Sequence, residues 1–291
     1  MEKILSGKLV AQAILEQIKD ILGKLSLIPT LALIRVGHDP ASVFYVQNII
    51  KQANKLGMHI ELTDLPEKIQ IDSFIGIIGH LNVNPKINGI MIQKPLPKKI
   101  SDELINSSIN PDKDIDGIHP FNLGKLFLSQ AGFVPCTAQA VIELIKHYQI
   151  ETRGKHVVIL GRSPIVSKPL AGLLLNKTDY GNATVTICHS FTQNLVSVIK
   201  TADILVTAIG KPNYVTSDMI DRKTILIDVG INLISDIKKG EIYVGDIDYN
   251  SCFEKALAIT PVPGGIGSIT TSVLLRNLLE ATMKQGQQKI S

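Results

Sequence analysis

Apolar residues in the first half of the chain recur in two alternating patterns, one typical of helices and the other of buried strands. Helical spacing predicts helices over residues 7–25, 41–56 and 73–81. Short apolar runs bounded by glycine or proline predict strands over residues 31–36, 58–62 and 89–93. Strands that alternate with helices favour a mostly parallel sheet, because a parallel connection requires a crossover segment.

A second series of the same kind begins after Pro135. It contains predicted helices over residues 138–148, 194–200 and 269–283, and predicted strands over residues 155–160, 183–188, 204–208 and 224–229. A further helix is expected after Gly161, which gives the strand and helix order of a dinucleotide-binding half. Since single cores seldom grow beyond roughly 250 residues, the 291 residues predict an α/β protein of two domains.

The charge pattern argues against a nucleic-acid-binding protein. The formal charge of +4 is spread over isolated lysines, aromatic residues make up 4% of the chain, and there is no tryptophan. A nucleic-acid surface would need clustered charge and exposed aromatic side chains. We therefore expect no nucleic acid partner, and lysines that are solvated or that attract an acidic small molecule.

Three further features predict a cytoplasmic protein. No apolar run approaches the ~20 residues that span a bilayer, and the first residues lack the apolar core of a signal peptide. The cysteines Cys136, Cys188 and Cys252 are odd in number and lack the spacing of metal ligands. We therefore expect a reducing compartment, no membrane association and no bound metal.

The loop after the strand at residues 155–160 has an incomplete form of the dinucleotide-binding fingerprint. Ser163 and Val166 stand where the fingerprint has glycines, although the next helix still offers free backbone N–H groups to a pyrophosphate. An NAD enzyme would have Asp or Glu after the following strand, where this chain has His189 and Ser190. The missing carboxylate and the presence of Arg162 favour NADP. Pairing of Arg162 with a surface carboxylate is the alternative.

Six motifs follow one another along the chain, and together they resemble those of one enzyme family. They are Asp39-Pro-Ala-Ser42-x-x-Tyr45-Val46, Gln93-x-Pro-Leu-Pro97, Pro111-x-Lys-Asp-x-Asp-Gly117, Gly161-Arg-Ser-x-Ile-Val166, Thr184-Val-x-x-Cys-His-Ser190 and Thr260-Pro-Val-Pro-Gly-Gly-Ile-Gly267. The resemblance is to the methylenetetrahydrofolate dehydrogenase/cyclohydrolase family, and it runs from near residue 3 to near residue 283.

The resemblance implies two α/β domains around a cleft. Residues 1–138 plus 264–291 would form a folate-binding catalytic domain, and residues 139–263 a Rossmann-type NADP-binding domain, with a homodimer formed through the latter. The implied reaction is hydride transfer from 5,10-methylenetetrahydrofolate to NADP in one-carbon metabolism. Water then opens the methenyl product to 10-formyltetrahydrofolate, a step that needs a positioned proton carrier.

The same resemblance assigns three residues to the folate site. Asp116 would bind the pterin edge, Gln93 would hold the pterin or the reacting centre, and Tyr45 would lie along the folate. Without the family, Asp116 is typical of a turn or cap residue, and Tyr45 is typical of a half-buried core aromatic.

Further residues are assigned to the contact with the cofactor. The loop of Pro263, Gly264 and Gly265 would let folate and nicotinamide approach closely, because glycine brings no side chain. The residues expected to line the cofactor site are Thr137, Gly161, Arg162, Ser163, Ile165, His189, Ser190, Ala208, Gly210, Ile231 and Thr270.

The chain departs from the family at one catalytic position. The family's lysine lies four residues after the tyrosine, on the same helix face, and this chain has Ile49 there. Isoleucine can neither carry a proton nor donate a hydrogen bond. Lys51 lies about 200° around the helix from Ile49 and is expected to point elsewhere. Lys94 follows Gln93, but neighbouring strand residues face opposite sides of a sheet.

The sequence therefore predicts a dehydrogenase whose cyclohydrolase step is strongly impaired or absent. One alternative keeps both activities, with Lys94 or a bound water in place of the lysine. A second alternative, from a different class, is a folate- or NADP-binding protein without turnover. A third is an unrelated Rossmann dehydrogenase acting on a hydroxyacid, which the collinear order of six motifs argues against.

Overall fold

The computed structural model describes residues 2–236 and 240–288, which divide into two compact units. The three-strand unit comprises residues 14–125, residues 131–134 and the chain from residue 274 onward. The five-strand unit comprises the chain up to residue 13, residues 126–130 and residues 135–273. Within the described ranges, no helix combines the length and the apolar character needed to span a membrane.

Helices and strands alternate along most of the chain. The helices are α1 (Gly7–Leu22), α2 (Pro40–Lys55), α3 (Ile71–Val83), α4 (Asp102–Ser108), α5 (Pro120–Phe127), α6 (Cys136–His147), α7 (Ser167–Leu175), α8 (Leu195–Lys200), α9 (Tyr249–Phe253) and α10 (Ile266–Gln288). The strands are β1 (Thr30–Val36), β2 (His59–Leu65), β3 (Gly89–Ile92), β4 (His156–Leu160), β5 (Thr184–Cys188), β6 (Ile204–Thr207), β7 (Ile225–Asp228), β8 (Asn232–Asp236), β9 (Gly240–Val244) and β10 (Ala258–Ile259).

The three-strand unit contains a parallel sheet in the order β2-β1-β3. On one face, Ile34 and Ile92 belong to an apolar cluster with Phe74 and Ile78 of α3 and with Ile105 of α4. Because crossovers are right-handed and β2 and β3 lie on opposite sides of β1, α2 must cover the other face. The parallel arrangement brings the segments that follow β1, β2 and β3 to one edge of the sheet.

The five-strand unit contains a second parallel sheet, in the order β10-β7-β6-β4-β5. Its core includes Val158 and Leu160 of β4, together with Leu205 and Leu226 of the adjoining strands. The strands β8 and β9 form a separate antiparallel hairpin. The loops that follow β4, β5 and β6 therefore emerge side by side at the carboxyl edge of the sheet.

Most of the predicted elements are present, with shifts at their ends. β2 continues to Leu65 because it pairs with β1 over seven residues, whereas the apolar run alone ends three residues earlier. α10 covers residues 266–288 rather than 269–283. The short helices α4, α5 and α9, the two-residue β10 and the hairpin have no predicted counterpart, because their apolar runs are too short to show a period.

The N-terminal segment groups differently from the predicted domain boundaries. Leu5 N donates to Ile259 O over 2.9 Å, and Gly7 N donates to Gly264 O over 2.8 Å. These bonds attach the chain up to residue 13 to the five-strand unit, which also contains residues 264–273. The sequence gives no sign of this attachment, because one isolated bridge between Ile4 and Ile259 leaves no periodic pattern.

A buried carboxylate organises the carboxyl end of β7. Asp228 is 2% exposed and accepts hydrogen bonds from Thr207 Oγ1 at 2.9 Å and from the backbone N atoms of Gly230, Asp246 and Ile247 at 2.9, 3.1 and 2.8 Å. Burial raises the pKa of Asp228 to about 6, although these hydrogen bonds lower it in part. The native state therefore binds a proton at Asp228 more readily than the unfolded chain does.

This raised pKa predicts how stability depends on pH. Between the ordinary pKa of 3.8 and about 6, native Asp228 retains a proton that the unfolded chain has lost, so this residue's contribution to stability falls as pH rises. The advantage of the wild type over Asp228→Asn should therefore shrink by about 2 kcal/mol between about pH 4 and about pH 7. Urea unfolding of both proteins from about pH 4 to about pH 7 measures it. A constant difference across the window would contradict the prediction.

Candidate active site

Gln93 lies directly after β3, at the carboxyl edge of the sheet in the three-strand unit. Its side chain is largely buried, and its Nε2 donates to Lys94 O over 2.6 Å. Within the described residues, its Oε1 is buried and has no hydrogen-bond partner. A buried carbonyl oxygen without a partner is costly, so this atom is suited to accept a hydrogen bond from a bound molecule.

The two aspartates of the Pro111–Gly117 motif have different environments. Asp114 is fully buried and accepts hydrogen bonds from Ile118 N at 3.1 Å, His119 N at 2.8 Å and Asn122 Nδ2 at 2.8 Å. Burial raises the pKa of Asp114. Asp116 is only partly buried. Asp114 therefore holds the turn of this motif.

The backbone places Asp116 close to Gln93. Ile90 N, within β3, donates to Lys113 O over 2.7 Å, and Ile90 forms a parallel bridge with Asp114. This single bridge brings the start of the turn that carries Asp116 beside the strand that precedes Gln93. Lys113 itself has a structural contact, because its Nζ donates to Leu81 O and Asn84 O at the end of α3.

Lys94 carries a positive charge at this same edge. Its Nζ lies 2.6 Å from Asp102 Oδ1, and its side chain is 20% exposed. Burial lowers the pKa of Lys94, while the hydrogen bond to Asp102 and the charges of Asp102 and Asp116 raise it in part. The alternation of strand residues does not extend to Lys94, since β3 ends at Ile92. The charge of Asp116 acts on the Lys94 ammonium, so the two side chains lie near each other.

The helix α2 carries Tyr45 and Ile49 in the same unit. Asp39 caps this helix by accepting a hydrogen bond from Ser42 N over 2.9 Å, and Ser42 Oγ donates to Lys94 O over 3.4 Å. The first turn of α2 is thereby fixed beside the segment after β3, and Tyr45 follows it, half-buried. Ile49 is 0% exposed.

Lys51, two residues after Ile49, is exposed, as the helical geometry predicts. Of the two lysines considered as substitutes for the missing one, Lys94 is therefore the one that the structure places near Asp116.

The five-strand unit has a cavity of about 460 Å³ at the carboxyl ends of β4, β5 and β6. Five of the residues predicted for the cofactor line it, namely Gly161, Arg162, His189, Ser190 and Ala208. Leu160, Cys188, Leu195 and Ile209 add apolar surface, and Thr192, Lys211 and Tyr214 add polar groups. Among the described residues that line the cavity, none is an aspartate or a glutamate. The donor set fits an anionic dinucleotide.

The remaining predicted cofactor residues lie outside this lining. Gly210 belongs to the loop after β6, whereas Ser163 is in the loop after β4, where its Oγ accepts a hydrogen bond from Ile165 N over 3.3 Å. Thr137 is in the first turn of α6, and Thr270 Oγ1 donates to Ile266 O within α10. Ile231 is exposed just before β8.

The loop of residues 263–265 shows close backbone packing. Gly264 has φ +105°, which favours glycine. A side chain on Gly265 would overlap Pro261 O. The backbone therefore requires glycine at both positions, independently of their predicted role at the folate and nicotinamide.

Several cavity residues have no counterpart in the sequence-based prediction. Lys211 and Tyr214 follow β6 at a distance from the glycine-containing loop, and Thr192 and Leu195 follow β5. The strand order could have indicated these residues, because the loops after adjacent parallel strands open onto the same edge of the sheet. The fingerprint residues alone could not indicate them.

Comparisons with known proteins agree with both units. Residues 5–116 match the catalytic domain of tetrahydrofolate dehydrogenase/cyclohydrolase, and residues 135–286 match its NAD(P)-binding domain. The chain belongs to the tetrahydrofolate dehydrogenase/cyclohydrolase family. The predicted family, the α/β fold class with two domains and the predicted nicotinamide dinucleotide domain are thereby confirmed.

Full-length relatives of the tetrahydrofolate dehydrogenase/cyclohydrolase family are similar to this chain. The bifunctional protein FolD of Dehalococcoides mccartyi is 46% identical over 286 residues, covering 97% of each chain. The solved bifunctional enzyme FolD from Campylobacter jejuni has a TM-score of 0.90 at 37% identity, covering 97% of this chain and 98% of its own. The dehydrogenase-cyclohydrolase of Trypanosoma brucei, solved with NADP cofactor and inhibitor, has a TM-score of 0.91 at 34% identity, covering 97% of each chain. The predicted NADP cofactor agrees with that relative and with the matched domain.

The different environments of Asp114 and Asp116 predict that one substitution lowers mainly stability and the other mainly folate binding. Asp114→Ala should lower the free energy of unfolding by about 3 kcal/mol or more, because three buried donors lose their acceptor. Asp116→Ala should cost less than about 1 kcal/mol but should weaken binding of tetrahydrofolate by at least about 10-fold. Urea unfolding and titration calorimetry measure the two effects. Similar losses of stability in both variants would show that the assignment is wrong.

Proposed function

We propose that the protein oxidises 5,10-methylenetetrahydrofolate to 5,10-methenyltetrahydrofolate with NADP, and that hydrolysis of the methenyl product is strongly impaired or absent. Two observations together carry this proposal. The residues expected to hold folate, Gln93, Asp116 and Tyr45, are present in the three-strand unit. At the family's lysine position the chain has Ile49, which is fully buried. The chain has the residues expected to hold folate, but at position 49 it has no group that can transfer a proton.

The polar groups of the three-strand unit suit a pterin. Its edge presents N–H donors, which need acceptors. The unpartnered Oε1 of Gln93 would accept a hydrogen bond, and the partly buried carboxylate of Asp116 would accept from the pterin N–H groups. Tyr45, fixed on the first turns of α2, would lie along the folate.

The cavity of the five-strand unit would hold NADP. Arg162, His189 and Ser190 would donate to the 2′-phosphate, and the apolar side chains of Leu195 and Ile209 would suit the adenine ring. Bound NADP supplies the hydride acceptor for the oxidation. The protein's own contribution to that step is to position the two rings, because hydride transfer requires no obligatory acid or base from the chain.

Hydrolysis of the methenyl product depends on the protein more directly. Attack by water requires a group that removes or delivers protons. Ile49 is apolar and packed in the core of the unit, so it cannot do this. Without such a group, the methenyl product should be released before it is hydrolysed.

One observation favours a second candidate, a bifunctional enzyme that uses Lys94. The ammonium of Lys94 lies in the field of Asp116, and burial lowers its pKa, which increases the fraction of neutral amine available as a base. Against this, Lys94 is engaged with Asp102 at 2.6 Å. The free amine would have to leave that partner before it could act.

The deciding experiment mixes the purified protein with methylenetetrahydrofolate and NADP and follows NADPH and methenyltetrahydrofolate at separate wavelengths. We expect NADPH to form while the methenyl compound accumulates. Ile49→Lys should then raise hydrolysis of added methenyltetrahydrofolate by at least about 10-fold if the rest of the site is intact, since general acid–base catalysis contributes 10²–10⁴-fold.

Lys94→Met and Lys51→Met form a matched pair for the bifunctional alternative. If methenyltetrahydrofolate never builds up, and Lys94→Met abolishes hydrolysis while Lys51→Met does not, then the enzyme is bifunctional through Lys94. Formation of no NADPH, with both ligands still bound in calorimetry, would overturn the enzymatic proposal and leave a binding protein.

We also infer a homodimer and a cytoplasmic location. The hairpin of β8 and β9 exposes Leu233 and Tyr243, which lie opposite each other in its register, and an exposed apolar pair of this kind supports an interface on the five-strand unit. Cys136, Cys188 and Cys252 are all free, which suits a reducing compartment. Light scattering of the full chain tests the dimer.

A further inference from the structure

Besides Asp228, the five-strand unit has another buried carboxylate, Asp246, which holds the loop after β6. Asp246 is 0% exposed, and it accepts hydrogen bonds from three successive backbone N atoms, those of Ile209 at 2.7 Å, Gly210 at 3.2 Å and Lys211 at 2.9 Å. Asn232 Nδ2 donates to the same carboxylate over 2.9 Å. Few acceptors can satisfy three consecutive N–H groups, so this carboxylate fixes the path of the loop.

The loop carries Lys211 to the cavity. Lys211, Ile209 and Ala208 all line it, together with Arg162 and Ser190 from the loops after β4 and β5. Lys211 is exposed, and its Nζ lies 5.3 Å from the ring centroid of Tyr214, which also lines the cavity. The contact with an aromatic face favours a cation held at the rim of the cavity over one that extends into solvent.

Arg162 has a similar arrangement on its own loop. Its Cζ lies 5.8 Å from the ring centroid of Phe191, which is exposed after β5. Two cations, each next to an aromatic ring, thus border a cavity whose described lining has no carboxylate. This charge distribution is selective, because an additional phosphate is attracted by both cations, whereas a neutral hydroxyl has no net charge for them to attract.

We propose that Lys211, on a loop fixed by the buried carboxylate of Asp246, acts with Arg162 to select NADP over NAD. The proposal rests on the proposed placement of the cofactor in this cavity. Lys211 would donate to the 2′-phosphate, and Asp246 is a positioning residue that acts through the loop backbone and touches no cofactor atom. The selection is then distributed over the loops after β4 and β6.

The first test measures binding of adenosine 2′-phosphate and adenosine 5′-phosphate by calorimetry on the full chain. Lys211→Gln should weaken adenosine 2′-phosphate by about 10-fold, the loss of one charge-assisted hydrogen bond, and should leave adenosine 5′-phosphate within about twofold. Lys223→Gln, an exposed lysine outside the cavity lining, is the matched control and should change neither affinity. Both probes bind without any folate reaction, so the result does not depend on turnover.

The same selectivity should appear in catalysis. The ratio of kcat/KM for NADP to kcat/KM for NAD should fall about 10-fold in Lys211→Gln, through KM for NADP rather than through kcat. Unchanged selectivity in Lys211→Gln, both in binding and in this ratio, would overturn the proposal even if the enzyme is fully active. Loss of turnover with the binding difference intact would instead overturn only the proposed reaction.

A double-mutant cycle separates positioning by Asp246 from simple structural support. Asp246→Asn should reduce the preference for adenosine 2′-phosphate over adenosine 5′-phosphate in the wild type but not in the Lys211→Gln background, because the two residues act through one contact. An equal reduction in both backgrounds would show that Asp246 does not act through Lys211. If Asp246→Asn fails to fold, the comparison of Lys211→Gln with Lys223→Gln still decides the role of Lys211.

Discussion

The main constraint on this structure is that buried backbone N–H groups just beyond the ends of the parallel strands need hydrogen-bond acceptors. A strand that stops pairing leaves donors without a ladder partner, and a buried donor without a partner is costly. The chain resolves this with buried aspartates. Asp114 binds the turn that follows residue 116 in the three-strand unit, and Asp228 and Asp246 bind the loops after β6, β7 and β9 in the five-strand unit.

These carboxylates are stable in the interior because each one accepts several hydrogen bonds at once. Desolvation opposes the charged form, and donors from the backbone and from Thr207 or Asn122 oppose desolvation. The close packing also needs glycine. A side chain on Gly230 would overlap the carboxylate of Asp246, and one on Gly245 would overlap that of Asp228. These glycines and aspartates therefore depend on each other. Together they fix the loops that carry the functional side chains.

The sequence predicts the two sheets and the general place of both sites, because those depend on local patterns. Apolar runs identify β1, β3, β4 and β6, and the residues around Gly161 and Ser190 lie at strand ends. Local patterns cannot distinguish Asp114 from Asp116, since both lie in one turn-forming motif and differ only in the burial that tertiary packing imposes. Only the resemblance to the family assigns the pterin to Asp116. The sequence also cannot connect Asp246 with Lys211, because 35 residues separate them and only the sheet order brings them together.

The replacement at position 49 is compatible with the fold for a reason that the helix itself supplies. Val46, Ile49 and Ala53 are all 0% exposed, and their spacing of three and four residues forms one buried stripe of α2. A lysine at this position would have to keep its methylenes in that stripe and find solvation for its ammonium beyond it. Isoleucine fills the stripe without a charge to solvate, so the fold gains apolar contact where the family has a proton carrier.

The positive charge at the sheet edge of the three-strand unit is then supplied by a different segment. Lys94, which follows β3, is partly buried between Asp102 and the field of Asp116. Burial favours the neutral amine and lowers the pKa of Lys94, whereas its ion pair with Asp102 favours the charged form. An ammonium that is held in an ion pair can stabilise an anionic substrate group but is a poor base. In the bifunctional alternative, assistance of water attack would therefore depend on release of the Lys94 amine from Asp102, and not on the presence of a lysine as such.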